Sequence, residues 1–284
     1  MTTPDLAEYP FYRARLDGHG VPAPWSLEDL EDYAGRHDDP FAGRMRPGTR
    51  TPVALQIEAT SEPPVWAGLD PSELDAFAGV VSRLWRRFGL AADETIAFFD
   101  YGSNPCVLLS SSIYVAHLRR GAATRLGAHT ICNDGVASMT GRMLVILENV
   151  RPAALVVRRD LIAPLVDALA TRGLRGGSRL RWAAVCEVEG SAGTKEAGRL
   201  AEPLGVPVRR LLRADAAFFV AGDCAACGLF HLDRSYRVAR GDDGDVIASA
   251  RFARQCPAVG YRLGRGELVA PGCPLEPKAA RLSM

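Results

Sequence analysis

The chain has 284 residues, 48% of them hydrophobic, and 34 Lys+Arg against 33 Asp+Glu leave a formal net charge of +1. That length allows a sizeable core, and a balance so near neutral gives no reason to expect nucleic acid or an anionic membrane surface as partner. The opening MTTPDLAEYPFYRARLDG lacks the apolar core of a signal peptide, and no run reaches the roughly 18 apolar residues of a membrane span, so a soluble, cytoplasmic protein is expected.

In chain order, the first element is WSLEDLEDYAG at 25–35, where Ser26 can cap a short helix with Glu28 and Asp29 in its first turn and Leu27, Leu30 and Tyr33 on one side. Residues 36–56 lack periodicity and read as loop, with one strand at PVALQIEA. The segment 70–90 opens with Asp70-Pro71, carries Leu74, Phe77, Val80, Val81, Leu84, Trp85 and Phe88 at helical spacing, and closes at Gly89. A buried strand follows at TIAFFDYG, 95–102, then a helix over 110–128 and a strand at HTICND. Helix MTGRMLVILENV, strand AALVVR, helix LIAPLVDALATRGL, strand RLRWAAVCEVE, helix TKEAGRLAEPLG and strand VPVRRLL continue the alternation. Strands and helices at this spacing predict right-handed crossover units and a mainly parallel α/β core. The later HLDRSYRVARGDDGDVIASARF changes to short strands and turns, including a solvated hairpin at RVARGDDGD. The expected division is a leader over 1–56 packing on the core, an α/β core over 57–215 and a β-rich subdomain over 216–284.

Seven cysteines, an odd number with no export signal, favour reduced thiols or metal ligands over a disulfide framework. Cys224-x2-Cys227-x3-His231 has the ligand types and spacing of half a tetrahedral zinc site; the plain alternative is reduced cysteines packed as small hydrophobes. Cys186, inside an apolar strand, should have a raised pKa and be inert.

The order of elements and several strings together resemble the phenylacetate–CoA ligases and their relatives in the adenylate-forming (acyl- and aryl-CoA ligase) superfamily. EYPFYRARLDGHGVPAPWSLEDLEDY is similar to that family's leader. FGLAADETIAFFDYG, GAHTICND and ILENVRPAALVVRRDLIAPLVDAL follow its run through the acyl-pocket sheet, and LRWAAVCEVEG with RLAEPLGVPV its approach to a Tyr-Gly-x-x-Glu motif. GDCAACGLFHLDRSYRV resembles its Glu-Cys…Gly-Leu-His segment, and CPAVGYRLGRGEL its Pro-x-x-Arg-Tyr-Arg-Thr-Gly-Asp motif. The resemblance implies the fold of the large N-terminal domain, parallel α/β layers with a smaller β-rich subdomain. It also implies that the chain stops where the mobile C-terminal lid would begin.

The nucleotide motifs depart from the family. Its phosphate loop reads Thr-Ser-Gly-Thr-Thr-Gly-Lys-Pro, whose glycines let backbone N–H groups approach ATP and whose lysine adds charge. The matching stretch here is Glu58-Ala59-Thr60-Ser61-Glu62-Pro63-Pro64-Val65, with no glycine, two prolines that cannot donate and two carboxylates that repel a triphosphate. In place of Tyr-Gly-x-x-Glu stands LLRADAAF, with Asp215 the nearest carboxylate and Arg213 beside it, and the ribose-binding aspartate falls at Arg265. ATP is therefore not expected as a cofactor.

By the resemblance, Tyr101, Gly102, Ser103 and Asp215 would line an acyl pocket at the carboxyl edge of the sheet, where α/β proteins commonly bind ligands. His117 and His129 fall near that pocket and are weak general-base candidates, since neither has a Ser/His/Asp arrangement beside it. Cys273, in a turn that the family often makes cysteine-rich, would be a fourth ligand to a structural zinc, with Cys256 in reserve. The expected function is a non-adenylating homologue that binds an aromatic or acyl group, as acid or thioester, and transfers it from CoA or a carrier protein to an acceptor in a biosynthetic pathway. Two alternatives stay open: a non-catalytic pseudoenzyme that binds a ligand or partner enzyme, and an ATP-dependent ligase with a rearranged loop and a borrowed lid. Homodimerisation is a further implication of the resemblance.

Overall fold

The computed structural model describes residues 4–57, 62–110, 119–175, 179–188 and 194–284. The leader forms the single-turn α1 (Pro10–Arg13) and α2 (Leu27–His37), which Ser26 and Asp29 cap reciprocally. It is fastened to the distal chain: the Tyr12 hydroxyl donates to the Pro257 carbonyl at 2.7 Å, and the Trp25 and Tyr261 rings meet edge to face at 4.8 Å. A hairpin of β1 (Val53–Gln56) and β2 (Trp66–Leu69) leads into α3 (Pro71–Arg87), where Asp70 and Glu73 close a capping box around Pro71. β2 is an element that the sequence pattern did not reveal, because WAGL carries no alternation. The 58–65 stretch, expected to be an altered phosphate loop, falls in the connection between two antiparallel strands; Glu58, Ala59, Thr60 and Ser61 lie outside the described residues.

The main sheet then builds from β3 (Thr95–Phe99), β4 (His129–Asn133), β5 (Ala154–Arg158), β6 (Trp182–Val188) and β7 (Val208–Ala214), all parallel. The crossovers carry α4 (Pro105–Ser110), α5 (Thr140–Val145) extended by a π-helical turn over Ile146–Val150, α6 (Ile162–Arg172) and α7 (Thr194–Leu204). Alternation along the strands feeds two cores. Ile96, Phe98, Ala154, Val156, Ala184 and Cys186 join α3, while Ala97, Phe99, Leu155, Val157, Ala183 and Val185 join α5, α6 and α7. On the α3 side, each fully buried Leu, Val or Phe contributes about 1.5–3 kcal/mol.

One predicted helix differs. Over 119–128 the expected helix is absent: residues 111–118 lie outside the described part, and the described remainder holds turns and a 3-10 element at Thr124–Leu126. The amides of Ala122 and Ala123 bond to the carbonyls of Leu109 and Ser110, so these donors are satisfied by α4 and not within a helix of their own.

Beyond β7 the pairing turns antiparallel. β8 (Phe219–Asp223), β9 (Phe230–His231), β13 (Glu267–Val269) and β14 (Arg281–Ser283) continue the same sheet in the order β13-β14-β9-β8-β7-β6-β5-β3-β4, nine strands among the described residues. β10 (Tyr236–Arg240), β11 (Asp245–Ala250) and β12 (Tyr261–Arg265) form a separate antiparallel sheet, with the RVARGDDGD hairpin at its β10–β11 turn. No helix among the described residues is long and apolar enough to cross a membrane.

Candidate functional site

The carboxyl ends of the parallel strands hold a buried ionic bridge. Asp100 directly follows β3, and its Oδ1 accepts from the Tyr101 amide at 2.7 Å and from Asn104 Nδ2 at 2.9 Å. Its Oδ2 accepts from Arg213 Nη1 at 2.5 Å, and Arg213 Nε meets Asp215 Oδ2 at 3.1 Å. Arg213 leaves β7 on the α3 face and reaches across the sheet, with the Cys186 Sγ of β6 at 3.9 Å from Nη1. The three charged side chains are 0%, 2% and 3% exposed. Burial opposes the Arg213 charge, yet Asp100 and Asp215 outweigh it and hold its pKa well above the ordinary value. The Cys186 thiol is raised well above its usual value by burial, as expected of an unreactive cysteine.

Tyr101 and Gly102 are half-buried and Ser103 exposed on the turn that follows Asp100. The Arg158 guanidinium, at the end of β5, stacks on the Tyr101 ring at 4.0 Å and is held by Asp160. The loop after β4 closes against the same turn at Gly135, where a Cβ would lie 2.5 Å from the Tyr101 nitrogen, so only glycine fits. The structure thus joins Tyr101, Gly102 and Asp215 around one edge and adds Asp100, Arg158 and Arg213. The sequence signal for Asp100 is an acid immediately after an apolar strand; nothing local marks Arg158 or Gly135. His129 is exposed at the amino start of β4, the opposite end of the strands, and does not join this group. His117 lies outside the described residues. Glu62 and Pro63 are exposed in the connection between β1 and β2.

A second constellation sits at the antiparallel end. The ligand atoms of Cys224, Cys227, His231 and Cys273 all lie within 4.8 Å of one another. Cys224 and Cys227 come from the tight turn between β8 and β9, where Gly228 takes φ +68°, and His231 ends β9. Cys273 arrives from the β13–β14 connection, because β14 pairs with β9 in a register that sets Arg281 opposite His231. Cys224 and Cys273 sulfurs are 3.6 Å apart, and Cys227 Sγ is 3.3 Å from His231 Nε2. Zinc–sulfur bonds of about 2.3 Å at tetrahedral angles put ligand sulfurs about 3.8 Å apart, so the donor set and its spacing fit a closed tetrahedral ion. Glu276 Oε2 lies 2.7 Å from His231 Nδ1, which turns Nε2 toward the cluster, and Glu276 Oε1 accepts from Arg87 Nε at 3.0 Å. Desolvation raises the Cys273 thiol, but the amides of Glu276 and Leu275 and the neighbouring Cys224 and Cys227 thiols bring it down to about 6, as suits a thiolate ligand. Cys256, the reserve ligand, is instead buried in the main core, where burial raises its pKa, and takes no part in the cluster.

No protein-family model matches the chain, and neither does any curated protein. Solved structures do. A 2-hydroxyisobutyryl-CoA ligase, in an open conformation with 2-HIB-AMP and CoA, superposes with a TM-score of 0.76 at 16% identity, over 98% of this chain and 65% of the ligase. The fold is that of the part of this CoA ligase that the chain covers. The same ligase in its thioesterification state gives a TM-score of 0.77 at 15% identity, over 98% of this chain and 64% of the other. A benzoate CoA ligase from Burkholderia xenovorans LB400 gives 0.50 at 11% identity, over 73% of this chain and 42% of the other. The chain thus spans less than two thirds of these CoA ligases, and what it shares with them is the mixed α/β architecture of their N-terminal domain.

Proposed function

We propose that this CoA-ligase-like chain is a non-adenylating homologue that holds an acyl or aryl group, as acid or thioester, at the carboxyl edge beside Tyr101. The observation that carries the reading is the Asp100–Arg213–Asp215 bridge. In the segment LLRADAAF, where a nucleotide-contacting tyrosine and a magnesium-binding glutamate would be needed, Arg213 is consumed by two carboxylates and offers ATP neither charge nor ring. The Glu58–Pro64 stretch supports the same conclusion, since its prolines cannot donate to phosphate and its glutamates repel it. A group that arrives as a thioester of CoA or of a carrier protein already holds its activation, so passing it to an acceptor requires no ATP. Cys224, Cys227, His231 and Cys273 would hold a zinc ion with no position left for water, which makes its role structural.

A second reading, binding without catalysis, is favoured by the same bridge, because buried side chains fill part of the edge where substrate would react. Both readings are tested with the pure chain, ATP, magnesium and a panel of aromatic and aliphatic acids, with and without CoA. Neither allows acid-dependent pyrophosphate release, and such release would restore the ligase reading. Thermal shifts with the corresponding CoA thioesters should show stabilisation by one acyl class. Consumption of that thioester in the presence of an acceptor separates transfer from binding alone.

A further inference from the structure

Behind the cysteine–histidine cluster lies a groove of about 440 Å³ that neither the carboxyl edge nor the metal ligands account for. Its volume is within the roughly 300–1,000 Å³ of small-molecule sites. Leu232, Pro277 and Ala279 supply apolar lining, and the charged lining comprises four cations, Arg83, Arg87, Arg234 and Lys278, against two carboxylates, Asp233 and Glu276. Arg83 and Arg87 lie four apart on α3 and so share a helix face. Both are pinned: Arg83 Nε and Nη2 meet the two Asp233 oxygens at 2.7 and 3.0 Å, and Arg87 holds Glu276 through Nε and the His231 carbonyl through Nη1. These bonds leave Nη1 of Arg83 and Nη2 of Arg87 outside the pairings. Arg234 and Lys278 are exposed, and among the described residues no hydrogen bond or ion pair engages either one.

We propose that this groove binds a small organic phosphate, its dianion between Arg234 and Lys278 and its apolar body along Leu232, Pro277 and Ala279. Two cations remain after internal pairing, which matches the charge of a phosphate monoester better than that of a carboxylate. Arginine and lysine are suited to phosphate as fork donor and point charge respectively. Arg83 and Arg87, held by Asp233 and Glu276, form an ordered wall of the groove that needs little rearrangement when a ligand arrives. This site is independent of the acyl-binding reading, and its failure would leave that reading untouched.

The test is isothermal titration calorimetry of the full chain with phenyl phosphate, phenylacetate, benzyl alcohol and inorganic phosphate. Phenyl phosphate should bind saturably and more tightly than the other three, and the doubly substituted Arg234→Glu/Lys278→Glu chain should lose at least about tenfold in affinity, as expected when charge-assisted contacts are reversed. Ala279→Phe, which fills the groove without changing its charge, should weaken binding as well. Parity between phenyl phosphate and phenylacetate, equal binding of neutral benzyl alcohol, or phenyl phosphate binding unchanged by the charge reversal would each overturn the assignment. Because Arg234 and Lys278 are exposed, the charge-reversed chain keeps its fold and decides the matter even if Ala279→Phe does not fold.

Discussion

At the carboxyl edge of the parallel strands, Asp100, Arg213 and Asp215 bring their own counter-charges; at the antiparallel end, Cys224, Cys227, His231 and Cys273 converge as donor atoms within 4.8 Å of one another. The first group is complete within the chain. The second is a set of soft donors whose spacing fits a metal ion. The two clusters should therefore differ in what destabilises them: removal of a charged partner for the first, and removal of a bound ion for the second if it holds one.

The largest expected effect comes from Arg213→Met, which leaves two buried carboxylates facing each other and should cost about 3–5 kcal/mol in urea denaturation. Adding Asp100→Asn and Asp215→Asn to that variant should recover most of the loss, because what is costly is the unpaired charge and not the missing bridge. If the triple variant were no more stable than Arg213→Met, the bridge would be holding the edge by geometry instead of by charge. For the other cluster, purification with zinc should give one ion per chain by mass spectrometry. Stripping it with a chelator should remove about 2.7 kcal/mol, relative to free zinc held a hundredfold above its Kd. Cys273→Ser should abolish that difference, whereas Cys256→Ser should leave the metal content unchanged. Equal metal content in both variants would show that the cluster is not the site.

A smaller effect is expected one step away from the ligands. Glu276→Gln removes the carboxylate that orients His231 and should weaken zinc tenfold to a hundredfold, roughly the usual cost of losing such a partner, with little change in the stability of the metal-free chain. The smallest is a pH effect at Asp233. Burial works against its charge, but Arg83 and Ser235 outweigh it and hold its carboxyl below the usual carboxylate range. A folded pKa below the unfolded value means that the stability is fully present above about pH 4 and is lost as pH falls through the folded value. Asp233→Asn should therefore flatten acid denaturation in that window, by about 0.2–1 kcal/mol given the partly exposed Arg83 partner. Unchanged acid sensitivity in this variant would assign the effect elsewhere.

The sequence by itself determined the elements whose signal is local. The Ser26 and Asp70 caps, the apolar face of α3, the apolar runs of β3, β5 and β6 and the hairpin at RVARGDDGD could all be read directly, because each depends on residues within a few positions of one another. The Cys224-x2-Cys227-x3-His231 spacing was legible for the same reason. The tertiary structure decided what depends on strands meeting across long separations. Asp100 and Arg213 become partners because β3 and β7 present their ends at one edge, 113 residues apart in the chain. Cys273 and not Cys256 completes the cluster because β14 pairs with β9, and no spacing rule encodes that pairing. The 110–128 stretch shows the same limit from the other side: its composition suits a helix, but in the described 119–128 part the amides of Ala122 and Ala123 bond to the carbonyls of Leu109 and Ser110. Local propensity is set by neighbours in sequence, whereas a buried charge or a metal ligand is satisfied only by whatever the fold brings within about 4 Å.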